Sequence, residues 1–162
     1  MRALITGGTG SLGHVLARAW LARDDVERLV VLSRDELKQA HMRARFPDPR
    51  LIFFLGDVRD IARLNLAFYG VDTVVHTAAF KRVDATANDV LELVKTNVMG
   101  TSNVLQAALT NGVRRVLVIS SDKACQPINA YGASKFMAEQ LAVNFNVYGG
   151  PRGTMSSAVR YG

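Results

Sequence analysis

The chain has 162 residues, 49% of them hydrophobic and 21% charged, which suits one domain with a packed core and excludes a disordered or fibrous chain. Its net charge is +6, but the 20 basic residues are scattered rather than run together, so neither a nucleic-acid face nor a membrane-binding patch is expected. No apolar run approaches the roughly 20 residues of a membrane span, the first strand begins at Arg2 with no leader before it, and the single cysteine, Cys125, cannot form an internal disulfide; these features predict a reduced, cytoplasmic protein.

In chain order, apolar runs of strand length alternate with segments of helical period. Arg2–Thr6 reads as a strand and Leu12–Arg23 as a helix. Leu29–Ser33 and Asp35–Phe46 repeat the pair, as do Leu51–Leu55 and Arg59–Phe68. Strand Thr73–Thr77 is followed by a helix over Asp89–Thr110, in which Leu91, Val94, Val98, Leu105 and Ala108 form one apolar stripe. Asn111-Gly112 suits a left-handed cap at its end. Strand Arg115–Ser120, helix Tyr131–Val147 and strand Ser157–Tyr161 complete the chain. The strands are rich in Val, Ile and Leu on both faces, as parallel strands covered by helices are. This alternation predicts an α/β, doubly wound parallel sheet of order 3-2-1-4-5-6, with its ligand crevice at the carboxyl ends of strands 1 and 4.

Gly7, Gly10 and Gly13 lie between strand 1 and helix 1, in ITGGTGSLG. Gly7 permits the tight turn, Gly10 leaves room for a pyrophosphate, and Gly13 lets the helix pack on the strand. The helix N-terminus offers free N–H groups to the anion. At the end of strand 2, where an acidic residue would select NAD, stand Ser33-Arg34, with Lys38 one turn on. A guanidinium there suits a 2′-phosphate, so NADP is the expected cofactor, unless Asp35 turns toward the ribose. Asp57 and Val58 close strand 3 and flank the adenine; Asp57 also reads as the cap of the next helix. Ala78 and Ala79 close strand 4 with small side chains, and Lys81 offers a cation to the crevice.

Tyr131 and Lys135 form Y-x-x-x-K, an i,i+4 pair on one helix face. An ammonium beside the phenol should lower its pKa and make it a base for a sugar or alcohol hydroxyl. Ser121 can bond the reacting oxygen. Asp122 and Lys123 add an acid and a base, more than a plain dehydrogenase needs, which suggests a second proton transfer. His76 is expected in the core, His14 and His41 at the surface, and Cys125 without a redox role. No spacing resembles a metal site.

The segments ITGGTGSLG, SRDELK, GDVRD, AAFKRVD, KTNVMG, SSDKACQPINAYGASK and VRYG resemble the extended short-chain dehydrogenase/reductase family. Within it they look most like the inverting UDP-N-acetylglucosamine 4,6-dehydratases of bacterial flagellin-glycan and capsule biosynthesis. The resemblance runs from residue 5 to 162. It implies that Tyr131, helped by Lys135 and Ser121, deprotonates the C4 hydroxyl as hydride leaves for NADP. Lys123 then takes the C5 proton, Asp122 protonates the departing C6 hydroxyl, and hydride returns to C6. Lysine at 123 points to the inverting branch; Ser121 replaces an expected threonine. By the same resemblance Thr9, Ser11, Leu12, Ser33 and Lys38 hold the cofactor, and Lys81 and Asn97 line its sugar side, with Lys81 and Ser121 reaching the UDP-sugar substrate. The family continues into a substrate domain that this chain does not contain. A bare apolar sixth strand therefore favours a homo-oligomer or edge pairing, and the expectation is NADP binding with slow turnover or none. The alternatives are a non-catalytic NADP-binding module, and a UDP-sugar 4-epimerase or reductase.

Overall fold

The computed structural model describes residues 1–81, 89–150 and 153–162. Six parallel strands, β1 (Arg2–Thr6), β2 (Arg28–Ser33), β3 (Leu51–Leu55), β4 (Thr73–His76), β5 (Arg115–Ser121) and β6 (Met155–Tyr161), stand in the order β3-β2-β1-β4-β5-β6, as the alternation of elements predicts. Among the described residues the α-helices that connect them are α1 (Ser11–Leu21), α2 (Glu36–Arg45), α3 (Ile61–Phe68), α4 (Val90–Leu93), α5 (Gly100–Thr110) and α6 (Ala130–Gly149).

The period-two alternation of the central strands divides the core in two. Ala3, Ile5, Leu29 and Val31 face Ala17 of α1 and Met42 of α2. Leu4, Val30, Leu32 and Val74 point the other way, onto Leu64 and Phe68 of α3, Leu105 and Ala108 of α5, and Ala138 and Ala142 of α6. Register pins this division: Leu4 lies opposite both Val30 and Val74. A one-residue slip would carry every apolar side chain to the wrong face. Among the described residues β6 pairs only with β5, and Met155, Val159 and Tyr161 are exposed on this edge.

Two local expectations are corrected. The helix expected over Asp89–Thr110 starts at Val90, and a wider π turn, Val94–Met99, separates α4 from α5. The turn changes which residues face inward. Leu93, Thr96, Asn97, Thr101, Val104, Leu105 and Ala108 are buried, whereas Leu91 and Val94 of the expected stripe are exposed. A π turn slips the helical register, a change that a 3.6-residue template does not anticipate. The cap of α3 is Asp60, whose carboxylate accepts from Arg63 N at 2.9 Å, not Asp57. Gly112 does take the left-handed conformation after α5, at φ +66°.

His76 is buried at the end of β4 and pairs through both ring nitrogens, with Thr6 Oγ1 at 2.6 Å and Thr101 Oγ1 at 3.0 Å. Thr101 spends its own proton on the Asn97 carbonyl, so it accepts from Nε2, and Thr6 donates to Nδ1. Burial, aided by the charge of Lys135, pushes the imidazole pKa down from 6.5 to about 3. The unfolded chain therefore binds a proton here that the folded chain refuses. Stability is full above pH 6.5 and falls as pH drops toward 3, by about 1.4 kcal/mol per pH unit. Urea unfolding at pH 7 and about pH 4.5 should differ by roughly 3 kcal/mol. His76→Gln should remove most of that difference; an unchanged slope would mean that His76 is not held neutral. His14 is also partly buried, against Phe46, rather than at the surface, with its pKa lowered first by burial and then by Arg45 and Arg18. His41 is exposed.

Candidate functional site

The carboxyl ends of β1, β2, β4 and β5 border a cleft of about 810 Å³, within the range of small-molecule sites. Gly7, Thr9, Gly10, Ser11, Leu12 and Gly13 form one wall. Gly7 sits at φ +66°, and a Cβ there would stand 2.7 Å from Ala78 Cα. Gly10 caps α1 with no side-chain bond to the helix amides, leaving them free for an anion. Gly13 packs differently from the expectation: its Cβ would meet Gly8 O at 2.1 Å, so the close approach is to the loop's own backbone rather than to a strand.

At the β2 end, Ser33 accepts a hydrogen bond from the buried Gln39 amide at 3.0 Å. The Ser33 proton is thereby left to donate elsewhere. Asp35 does not turn to the cleft for hydrogen bonding: it caps α2, accepting from Lys38 N at 2.9 Å, and pairs with Lys38 Nζ at 3.4 Å. Arg34 is half-exposed and lies 3.6 Å from Asp57. Burial alone would raise the Asp57 pKa, but hydrogen bonds from Arg59 and the charges of Arg59 and Arg34 outweigh it and hold the carboxylate below its usual range. Val58 is buried beneath Gly100, where a Cβ would collide with it at 2.7 Å.

Ala78, Ala79 and the exposed Lys81 line the middle of the cleft; residues 82–84 of the quoted AAFKRVD segment lie outside the described residues. Asn97 does not line it. Its side chain is buried and clamps the loop from behind: Oδ1 accepts from Phe80 N at 2.7 Å, and Nδ2 donates to Phe80 O and Ser134 Oγ, both at 2.9 Å. All its polar atoms are occupied, which makes it a brace rather than a ligand contact.

The far end gathers Ser121, Asp122, Lys123, Tyr131 and Lys135. Asn129 caps α6 through Gly132 N at 2.8 Å, and Gly132 lets the helix approach Lys123 O, 2.2 Å from where its Cβ would be. Lys135 Nζ donates to Ile119 O at 2.5 Å. Burial pushes its pKa down from 10.5 to about 8, against the upward pull of Glu139. Tyr131 overturns the expectation of an acidic phenol. Burial pushes its pKa up, the Ser121 hydrogen bond and the Lys123 charge pull down, and the Tyr161 and Asp122 charges add to the rise. The i,i+4 spacing puts both side chains on one face, but the hydrogen bond that Lys135 Nζ makes is to a strand carbonyl, and burial dominates the phenol. Ser121 donates to Asp122 Oδ1 at 2.8 Å, and Lys123 Nζ reaches the same oxygen at 3.0 Å. These two bonds hold the Asp122 pKa below the usual carboxylate range. Cys125 is free and exposed.

Tyr161, Thr77 and Thr96 also line the cleft and carry no individual sequence signal; Tyr161 lies in the quoted VRYG. Among the described residues no helix is long and apolar enough to cross a membrane, and no cluster could hold a metal ion. The cleft fits a dinucleotide: a cradle that side chains would fill, uncapped helix amides and two cations at one end.

A family model described as "Polysaccharide biosynthesis protein" matches residues 3–162. The chain is 42% identical over 159 residues to the UDP-N-acetylglucosamine 4,6-dehydratase (inverting) of Campylobacter jejuni, covering 98% of this chain and 48% of that protein. It is 43% identical over 162 residues to a UDP-glucose 4-epimerase of Rickettsia massiliae, with the same coverage. Among solved structures, DesIV, a dTDP-glucose 4,6-dehydratase from Streptomyces venezuelae with NAD and TYD bound, superposes with a TM-score of 0.88 at 31% identity, covering 99% of this chain and 55% of that one. The chain thus spans about half the length of the curated relatives it matches.

Proposed function

We propose, from the premise that this chain belongs to the polysaccharide biosynthesis protein family, that it is the NADP-binding and proton-transferring part of a C5-inverting nucleotide-sugar 4,6-dehydratase acting on UDP-N-acetylglucosamine. The observation that carries the reading is the pairing of Asp122 and Lys123 beside Ser121 and Tyr131 at the mouth of the cleft. A dehydratase needs an acid and a base beyond the groups that oxidise C4.

The amides opening α1 hold the diphosphate, with Thr9, Ser11 and Leu12 around it. Ser33, Arg34 and Lys38 take the 2′-phosphate, Asp57 and Val58 flank the adenine, and Ala78, Ala79 and Lys81 border the nicotinamide half. When bound, NADP supplies a reversible hydride acceptor. Tyr131 takes the C4 hydroxyl proton, with Ser121 aligning that oxygen. Lys123 removes the C5 proton and Asp122 protonates the leaving C6 hydroxyl. These last roles need the proton on Asp122 and off Lys123, the reverse of the ionised pair. Transfer along the 3.0 Å bond joining them produces that state, and a sugar that excludes water favours it, because desolvation penalises a charged pair more than a neutral one.

Incubating stoichiometric chain with NADP⁺ and UDP-N-acetylglucosamine in D₂O, then weighing the products, tests the reading. A product lighter by one water and carrying deuterium at C5 supports it. A C4 epimer of unchanged mass would replace it with the epimerase reading, and no product would leave a binding module. Lys123→Ala should abolish dehydration and spare epimerisation. Cofactor choice has its own test: Arg34→Ala should weaken NADP⁺ binding about 10- to 100-fold and leave NAD⁺ binding nearly unchanged. Equal loss for both dinucleotides in a titration would contradict the assignment.

A further inference from the structure

Glu139 stands one turn beyond Lys135 on the same face of α6, and the proposed function gives it no work. It is buried, at 7% exposure, as is Lys135, at 6%. Arg160, from the end of β6, grips both carboxylate oxygens, Nε to Oε1 at 2.8 Å and Nη2 to Oε2 at 2.6 Å. Ala138 and Ala142 around it are fully buried, so an apolar side chain would suit this stretch of helix. A buried ion pair contributes little more to stability than a well-packed apolar group, so its presence needs another reason.

Lys135 supplies that reason. Its ammonium is buried and rests on one backbone carbonyl, Ile119 O. Around it, β4 presents His76, kept neutral, and α6 presents Tyr131, kept protonated. The turn after β5 carries Asp122 and Lys123, both more than half exposed and screened by solvent, unlike Glu139. β6 carries Tyr161 and Arg160, the latter occupied with Glu139. Glu139 is thus the anion whose charge acts on this ammonium.

We propose that Glu139 is a positioning residue for Lys135, fixed by Arg160 so that its buried carboxylate keeps the Lys135 ammonium charged beneath the cleft. The inference deepens the proposed role of Lys135 and rests on that reading, but its test needs no turnover. The electrostatics agree in direction: burial drives the Lys135 pKa down and Glu139 opposes it, while Arg160 and Lys135 both help to hold Glu139 low. Without Glu139, Lys135 would lose its proton near neutral pH.

The test is an NMR titration of the ligand-free chain with 15N-labelled lysine. Glu139→Gln should move the Lys135 midpoint down by about one pH unit. A filler role predicts otherwise: looser packing would hydrate the ammonium and move the midpoint up. Coupling is reciprocal, so in Lys135→Met, which keeps the bulk, the 13C-detected Glu139 carboxyl should titrate at higher pH than in wild type. That second variant keeps the test open should Glu139→Gln fail to fold. An unmoved or raised Lys135 midpoint in Glu139→Gln, or an unmoved Glu139 in Lys135→Met, overturns the inference. Failure to bind NADP⁺ would instead sink the proposed function and leave these titrations standing.

Discussion

Gly13→Ala should unfold the chain at a temperature about 10 °C lower and weaken NADP⁺ binding at least about 100-fold. The added Cβ would stand 2.1 Å from Gly8 O, 2.4 Å from Gly8 C and 2.5 Å from Gly8 Cα. Every obstacle is backbone, so no side chain can swing aside and α1 must shift away from the loop. Overpacking of this kind costs about 3 kcal/mol. The same shift misplaces the amides that would face the diphosphate. Gly10→Ala is the control, because its Cβ meets only Gly7 O at 3.3 Å. It should keep nearly the wild-type melting temperature while its methyl obstructs the anion. Calorimetry and dinucleotide titration of both variants separate the two roles. Wild-type melting and binding in Gly13→Ala would contradict the packing argument.

Tyr131→Phe should slow conversion of the sugar nucleotide about 1000-fold and leave NADP⁺ affinity nearly unchanged. The substitution removes one hydroxyl from a side chain 9% exposed and leaves the ring that fills the space. In the ligand-free structure burial keeps the phenol protonated, so the proton acceptor is scarce at neutral pH. The wild-type single-turnover rate should therefore climb with pH until Lys135, at about 8, loses its charge. That rising limb should be absent in Tyr131→Phe. A variant that retains rate and pH profile would remove Tyr131 from the chemistry and shift attention to Asp122 and Lys123.

The sheet and its order were legible because each strand is a short run apolar on both faces and each connection reads as a helix. Ala3 and Ile5 face one way and Leu4 the other, as in the sequence. The glycine loop was legible because its spacing answers to backbone sterics, which are local. What depends on tertiary neighbours was not. The π turn moves Leu91 and Val94 outward, and nothing in their own sequence marks the slip. Asp57 reads as the cap of the helix after strand 3, but Asp60 caps α3, while Asp57 pairs with Arg59 and Arg34. Asn97 belongs to a quoted motif, yet it braces the Phe80 backbone. Charge states were least legible of all. The spacing of Tyr131 and Lys135 is compatible with an acidic phenol, but burial outweighs the groups that would lower its pKa before any ligand binds.

The most direct measurement is a crystal structure of the chain with NADP⁺. The diphosphate should rest on the amides of Ser11 to Gly13, the 2′-phosphate against Ser33 and Arg34, and the nicotinamide within hydrogen-bonding reach of the Tyr131–Lys135 face. A dinucleotide bound elsewhere, or a nicotinamide turned away from Tyr131, would contradict the account.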